Sequence, residues 1–546
     1  MEIIREWGLS AAIFLPLIGG SIMMGIPKAE EGLHKMVALM TSLLVAAIGI
    51  ILLFDFDYGR ADEFQWAVDL PWIEIIRSEY AIGIDGISLP LVLLTMLVVP
   101  LVILYSWNHL PEPANPKAFL ILILVLHTGM IGTFLARDLV LFFVFFEVVL
   151  LPMFFKIAVW GGADRKYASL KFFLYTLFGS ALMLVSFLAL FFLAGGETFS
   201  IVGLSDAVQA NGVSRTAQIW VFAGMLLGFG IKVPIFPFHT WLPDAHTQAP
   251  TAGSVILAAV LLKLGTYGFV RIAIPILPEA ATVWAPWIGL AAVIGIIYGA
   301  LGCLAQTDMK RLIAFSSVAH MGFIMLGIST LTDWGTNAAI FGMVAHGLIT
   351  GMLFFVAGSI KDRYHTLEIK RLGGLLVQAP RLGWVLGFLT MASLGLPGLA
   401  GFWGEFPAIL AAFNPANGLS EGLFRTYMVV AAIGTVLAAG YLLWLLQRSA
   451  FGTPSEEFAN DPNIVDVKPM EFLAWSPMLF LILLFGLVPG LIFNVTDPAV
   501  DANLSECFQA DLGDGNEDSF DIGTCEREGL EVALANLGVV STAEGE

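Results

Sequence analysis

Fourteen apolar runs of about 20 residues, each the length of a membrane-crossing helix, set the terms for this chain. They lie near 8–26, 34–54, 86–107, 117–135, 139–160, 168–194, 217–242, 250–277, 284–302, 311–330, 336–359, 382–412, 426–451 and 472–494. With 58% hydrophobic and only 13% charged residues in 546, the chain reads as an all-α polytopic membrane protein. The first run follows acids and an Arg, with no small-residue cleavage site after it, so it reads as a retained helix.

Two runs are interrupted. Pro234 and Pro237 fall inside the seventh, and Gly395-Leu396-Pro397-Gly398 with Gly401 inside the twelfth. Proline removes an N–H and clashes one turn back, so both helices are expected to break. In hydrocarbon the freed carbonyls need partners, which places such breaks inside a bundle or beside a hydrated cavity. Runs four to eight and nine to thirteen form two sets of five, each with its interrupted member in fourth place. That arrangement predicts two inverted five-helix repeats with an ion path at the midplane. The expected organisation is residues 1–116 for the first three helices and an outer hairpin, 117–277 for the first repeat and 284–451 for the second. Residues 452–494 form an inner loop and the last helix, and 495–546 an acidic exported tail. The hairpin is expected because 54–84 alternates polar and apolar residues around turns.

Charge orients the bundle. With the N-terminus outside, fifteen lysines and arginines fall in the inner loops and seven in the outer segments, so both termini are expected outside the cytoplasm. The net charge of −18 is mostly a tail property: from Asp497 onward there are 13 acids against one base, Arg527. Nucleic-acid binding has no support. In an oxidising compartment Cys507 and Cys525 are expected to form a disulfide, worth roughly 3 kcal/mol in the chain-entropy account. The run from Asp511 to Asp518 has calcium-like acids without EF-hand spacing. Cys303, at a helix end, reads as a packed thiol.

Six ionisable residues fall centrally in the runs: Glu147, Lys232, Lys263, His320, His346 and Glu405. Each central Lys or acid costs roughly 2.5–3.5 kcal/mol to insert, so mutual pairing is expected. Lysines whose charge is sensitive to burial and to a nearby carboxylate suit proton transfer, with Glu147 as a switchable partner of Lys232. The alternative is a buried ion pair that only fixes helix packing. His320 and His346 suit a relay, or serve simply as hydrogen-bonded core, and Glu405 follows the second break as a last proton site. His239, Asp244 and His246 read either as an intake funnel or as capping and loop residues. Lys156 and Arg271 lie nearer helix ends and are expected to snorkel. No metal cluster, nucleotide loop, haem pair or iron–sulfur pattern is present in the sequence.

The stretch FPFHTWLPDAHTQAPTAGSVILAAVLLKLGTYG at 236–268, with DMKRLIAFSSVAHMGF and GLPGLAGFWGEF, resembles the antiporter-like proton-channel subunits of respiratory complex I and their relatives in Mrp-type cation/proton antiporters. The likeness spans roughly residues 8–494. It implies a proton-translocating membrane-arm subunit of NADH:quinone oxidoreductase in a bacterial plasma membrane. FMN, iron–sulfur clusters and quinone would then sit on partner subunits, with none on this chain. Sister antiporter-like chains, other membrane-arm subunits and the lipid bilayer would be its surroundings. By the same resemblance Glu147, Lys232, Lys263, His320, His346 and Glu405 match the family's proton-path positions, and Glu at 405 marks one branch where sister chains carry Lys. The acidic two-cysteine tail departs from the family pattern. A subunit of an Mrp-type Na+/H+ antiporter, or of a membrane hydrogenase or ferredoxin-driven complex, is the alternative.

Overall fold

The computed structural model describes residues 2–508 apart from Asn211, Asn460 and Asn463. Among them, twelve helices are long and apolar enough to cross a membrane, and they fall on twelve of the fourteen expected windows. The seventh and twelfth windows hold pairs of shorter helices instead. Arg215–Lys232 gives way at Val233–Pro237 and resumes as a 3-10 turn and Trp241–Gln248. Pro380–Ser393 and Ala400–Ala411 flank the second break. There Gly395, at φ 77°, closes the first helix with Leu396 N–H on the Met391 carbonyl and Gly395 N–H on that of Ala392. A left-handed residue at this position is the Schellman ending that glycine supplies without strain.

Two further irregularities depart from the sequence expectation. The window 250–277 holds no plain helix: within Thr251–Ile276, Leu257–Leu261 and Phe269–Ala273 are π-helical, on either side of Lys263. Each such bulge adds a residue to the turn and rotates the helix beyond it. The fifth window is interrupted at Val149, between Leu139–Val148 and Leu150–Trp160. Pro152 has no N–H for the Val148 carbonyl, which explains the step two residues after Glu147.

The helices Thr251–Ile276 and Asp333–Tyr364 are fully buried through their apolar middles, whereas Pro469–Leu487 is mostly peripheral. The core of the bundle therefore runs through the elements that carry Lys263 and His346. The hairpin expected in 54–84 is present: β1 (Gln65–Ile73) pairs antiparallel with β2 (Ser78–Ile84), Val68 opposite Ile82. It is fastened through Asp138, fully buried, which accepts from Ser78 Oγ and Glu79 N and caps Leu139–Val148 through Val140 N and Leu141 N.

The C-terminal end differs from its expectation. The last window ends at Leu487, and a separate helix, Gly490–Phe508, follows Pro489, crossing the boundary drawn at 495. It buries Val495, Ala499, Val500 and Leu504. A stripe at i, i+4, i+5 and i+9 within an acidic stretch makes an amphipathic helix, which a scan for continuous apolar runs does not see. The expected Cys507–Cys525 bridge and the acidic run 511–518 lie outside the described residues and side chains. The snorkelling expected of Lys156 and Arg271 is not found. Lys156 is fully buried with its Nζ 3.3 Å from the Phe119 ring centroid. Arg271, 3% exposed, is ion-paired to buried Asp85 and donates to Tyr267 Oη. Buried partners hold it more firmly than the interface would.

Candidate functional site

The break after Lys232 fixes where that lysine stands. It is the last residue of Arg215–Lys232, 3% exposed, with its Nζ 4.4 Å from the Phe146 ring centroid. The neighbouring carbonyl of Ile231 accepts from Trp241 Nε1 at 2.9 Å, so the break finds its partner inside the protein. Glu147 follows Phe146 directly in the chain. Lys232 and Glu147 form no ion pair within 4 Å among the described residues, and the ring packed against the lysine is that of Phe146. The pairing expected of them is an approach rather than a contact.

Lys263 is one helix away. The two lysine-bearing segments touch: a Cβ at Gly265 would lie 3.1 Å from Lys232 Cβ and 2.6 Å from the Phe229 carbonyl oxygen. Only glycine admits that approach. Lys263 Nζ donates to the Ala258 carbonyl, in the first π segment, and lies 2.7 Å from His346 Nδ1. When Lys263 is an ammonium, which has only donors, Nδ1 accepts and the neutral ring carries its proton on Nε2. His346 Nε2 and Glu405 Oε2 are buried without a partner. Both residues line a small cavity with His320, Thr350 and Ser393, with room for about one water.

His320 continues the file. Its ring centroid is 5.9 Å from that of His346, and its Nδ1 is 2.5 Å from Glu405 Oε1. Ser393 Oγ and Tyr441 Oη approach its Nε2 at 3.2 and 3.4 Å. The helix carrying Glu405 presses on that of His346, since a Cβ at Gly404 would meet Gly342 Cα at 2.5 Å. Of the six central residues, four thus form one connected file, Lys263–His346–His320–Glu405, and Lys232 with Glu147 stand beside its Lys263 end. Sequence reasoning did not single out Ser393, Tyr441 or the Ala258 carbonyl. Side-chain hydroxyls and a π-freed carbonyl carry no signal in an apolar run.

His239, Asp244 and His246 separate. Asp244 pairs with Lys171 at 2.8 Å and lies 3.7 Å from Arg311. His239 stacks on Phe236 with Tyr298 edge-on to it, and His246 is fully buried against Phe354. Among the described residues no group of three His, Cys, Asp or Glu is disposed to hold a metal ion.

A polytopic bundle with titratable groups strung through its driest part, between two broken helices, defines a membrane protein of antiporter-like architecture. The family described as NADH:quinone oxidoreductase/Mrp antiporter matches residues 136–430, and that described as NADH-ubiquinone oxidoreductase chain 4, amino terminus, matches 64–133. NADH-quinone oxidoreductase subunit M of Rhodobacter capsulatus is 40% identical over 516 residues, covering 92% of this chain and 98% of that one. A chain of Thermus thermophilus respiratory complex I with bound NADH superposes with a TM-score of 0.81 at 29% identity, covering 91% and 99%. A chain of the Mrp complex of Dietzia sp. shares the fold at TM-score 0.78 and 18% identity, with 91% and 97% covered. The chain belongs to the chain 4, or subunit M, family of NADH:quinone oxidoreductase membrane subunits.

Proposed function

We propose that this chain is a proton-translocating membrane-arm subunit of a complex I, and that it carries protons through Glu147, Lys232, Lys263, His320, His346 and Glu405. The observation that carries this reading is the buried file from Lys263 to Glu405, in which each group stands within hydrogen-bond or ring-contact distance of the next. Protons enter from the cytoplasm toward Lys232, pass Lys263 and the histidines, and leave by Glu405. Glu147 loads and releases Lys232 by moving nearer or farther, since a carboxylate favours the ammonium and burial opposes it. The two sets of five helices are inverted repeats about this path, and both termini face outward from a bacterial plasma membrane. Flavin, iron–sulfur clusters and quinone sit on partner subunits, and sister antiporter-like chains adjoin this one in the membrane arm.

The test is NADH-driven proton uptake by vesicles containing the intact complex, comparing wild type with Lys232→Ala and Glu147→Ala. Assembled variants are expected to lose coupled uptake together with quinone-linked NADH oxidation. Full pumping by an assembled Glu147→Ala complex would overturn the assignment of that residue. Proton movement driven by a sodium gradient, with no response to NADH in wild type, would overturn the function.

A further inference from the structure

Arg271 stands in the second π turn, Phe269–Ala273, and Lys263 bonds back to the first through the Ala258 carbonyl. Between the two turns lies the α stretch Leu262–Gly268, which carries Lys263 and Tyr267. Its rotation is tightly fixed. Gly265 and Gly268 face the helix of Lys232, where a Cβ would come within 2.6 Å of the Phe229 carbonyl oxygen and 2.3 Å of the Phe229 ring. Lys263, two residues from Gly265 and so about 200° around the helix, faces His346 instead. An ordinary α turn in place of Phe269–Ala273 would drop one residue from the turn. It would swing the stretch by about 100° relative to the outer end of the helix, enough to take Lys263 off His346.

Wide turns of this kind are rare, so something must hold this one. Arg271 is ion-paired to Asp85 and donates to Tyr267 Oη, and Tyr267 donates in turn to the Phe134 carbonyl at 2.9 Å. Asp85 is itself fixed. Its Oδ1 accepts from Ser88 N at 3.0 Å and from Ser88 Oγ at 2.8 Å. Gly86 after it donates its N–H to the Ala61 carbonyl at 2.7 Å, and a Cβ there would lie 2.1 Å from the Val495 carbonyl oxygen. The anchor therefore stands where the loop ahead of the hairpin, the third membrane helix and the C-terminal helix meet. A buried ion pair is weak evidence for stability, because apolar residues of similar volume in its place often do no harm. The position of this one, on the turn that sets the angle of Lys263, points to a different use. We infer that Asp85 and Arg271 are positioning residues: their ion pair holds the π turn, and with it the rotation that presents Lys263 to His346. The inference rests on the proton-path reading above.

It is tested with the double variant Asp85→Asn/Arg271→Met in the intact complex, which removes both charges and keeps an acceptor for Ser88. NADH-driven proton uptake per assembled complex is expected to fall roughly tenfold to 100-fold, since a misplacement of about 1 Å costs up to the latter. Its dependence on pH is expected to change as well, because a Lys263 parted from His346 titrates in different surroundings. A pair that only packs the fold would change the amount of complex and leave that profile alone. The wild-type profile in the assembled double variant, at whatever rate, would overturn the inference. Where the double variant does not assemble, Tyr267→Phe replaces it, keeping the ring against Phe134 and removing only the hydroxyl. An altered profile then supports the clamp, and the wild-type profile overturns it. Uptake lost in Lys263→Ala but kept in the double variant removes only the clamp, whereas no NADH-driven uptake in wild type removes the function itself.

Discussion

Lys263 holds two acceptors at once, the Ala258 carbonyl and His346 Nδ1, and this double grip decides which proton is free to move. With a charged Lys263 donating to Nδ1, the His346 proton sits on Nε2, in a residue that lines the cavity shared with Glu405. Replacing Glu405 with Gln keeps the volume and one hydrogen bond to His320 but removes the carboxylate. Proton uptake by the intact complex is expected to fall at least about tenfold, with assembly unchanged, and undiminished uptake would remove Glu405 from the path. Lys263→Met should act on stability as well. It strands a buried carbonyl and a ring nitrogen, costing roughly 1–3 kcal/mol for each unsatisfied group, visible as a lower unfolding temperature of the purified complex. The six central residues are legible in the sequence because an ionisable group in hydrocarbon is rare enough to announce itself. Their partners are not, because pairing depends on how each helix is rotated. Lys232 stands over an aromatic ring and makes no ion pair with Glu147, while Lys263 meets a histidine 83 positions away.

Rotation is set at the scale of the element. Proline and glycine at 234, 237, 395 and 398 mark both broken helices in the sequence because their backbone chemistry is local. The π segments around Lys263 leave no such mark: LAAVL and FVRIA are ordinary helical composition, and only their packing against neighbours selects the wider turn. Close glycine contacts make the resulting geometry brittle. Gly404→Val would drive a Cβ to 2.5 Å from Gly342 Cα, so the helices must part and draw Glu405 away from His320. Overpacking of this kind costs roughly 1–3 kcal/mol, and uptake should fall with the unfolding temperature. Retention of both would show that the two helices have slack. Asp138→Ala tests a different element. It removes the cap of Leu139–Val148 and the acceptor that holds Ser78 and Glu79 of the hairpin, so it should destabilise by roughly 0.5–2 kcal/mol and leave proton uptake per NADH unchanged.

At the scale of the whole molecule, the path has a direction only if the bundle has an orientation. Lys310, Lys361, Arg311 and Lys171 share one end, with Asp244 held between Lys171 and Arg311. The hairpin, fastened through Asp138, lies at the end of Leu139–Val148 opposite the one that leads on to Trp160. The excess of lysine and arginine in alternate loops argues for the first end in the cytoplasm and the hairpin outside. Two exposed positions report on this directly, Asp62 beside the hairpin and Glu456 in the loop before the last expected window. With the hairpin side outward, a cysteine at Asp62 should react with a membrane-impermeant maleimide in intact cells. A cysteine at Glu456 should react only in inverted vesicles, the same preparation in which NADH-driven uptake is read. The opposite labelling pattern would turn the bundle over. Glu405 would then be the residue that faces the supply of protons, and the Lys232 end of the path would become the exit.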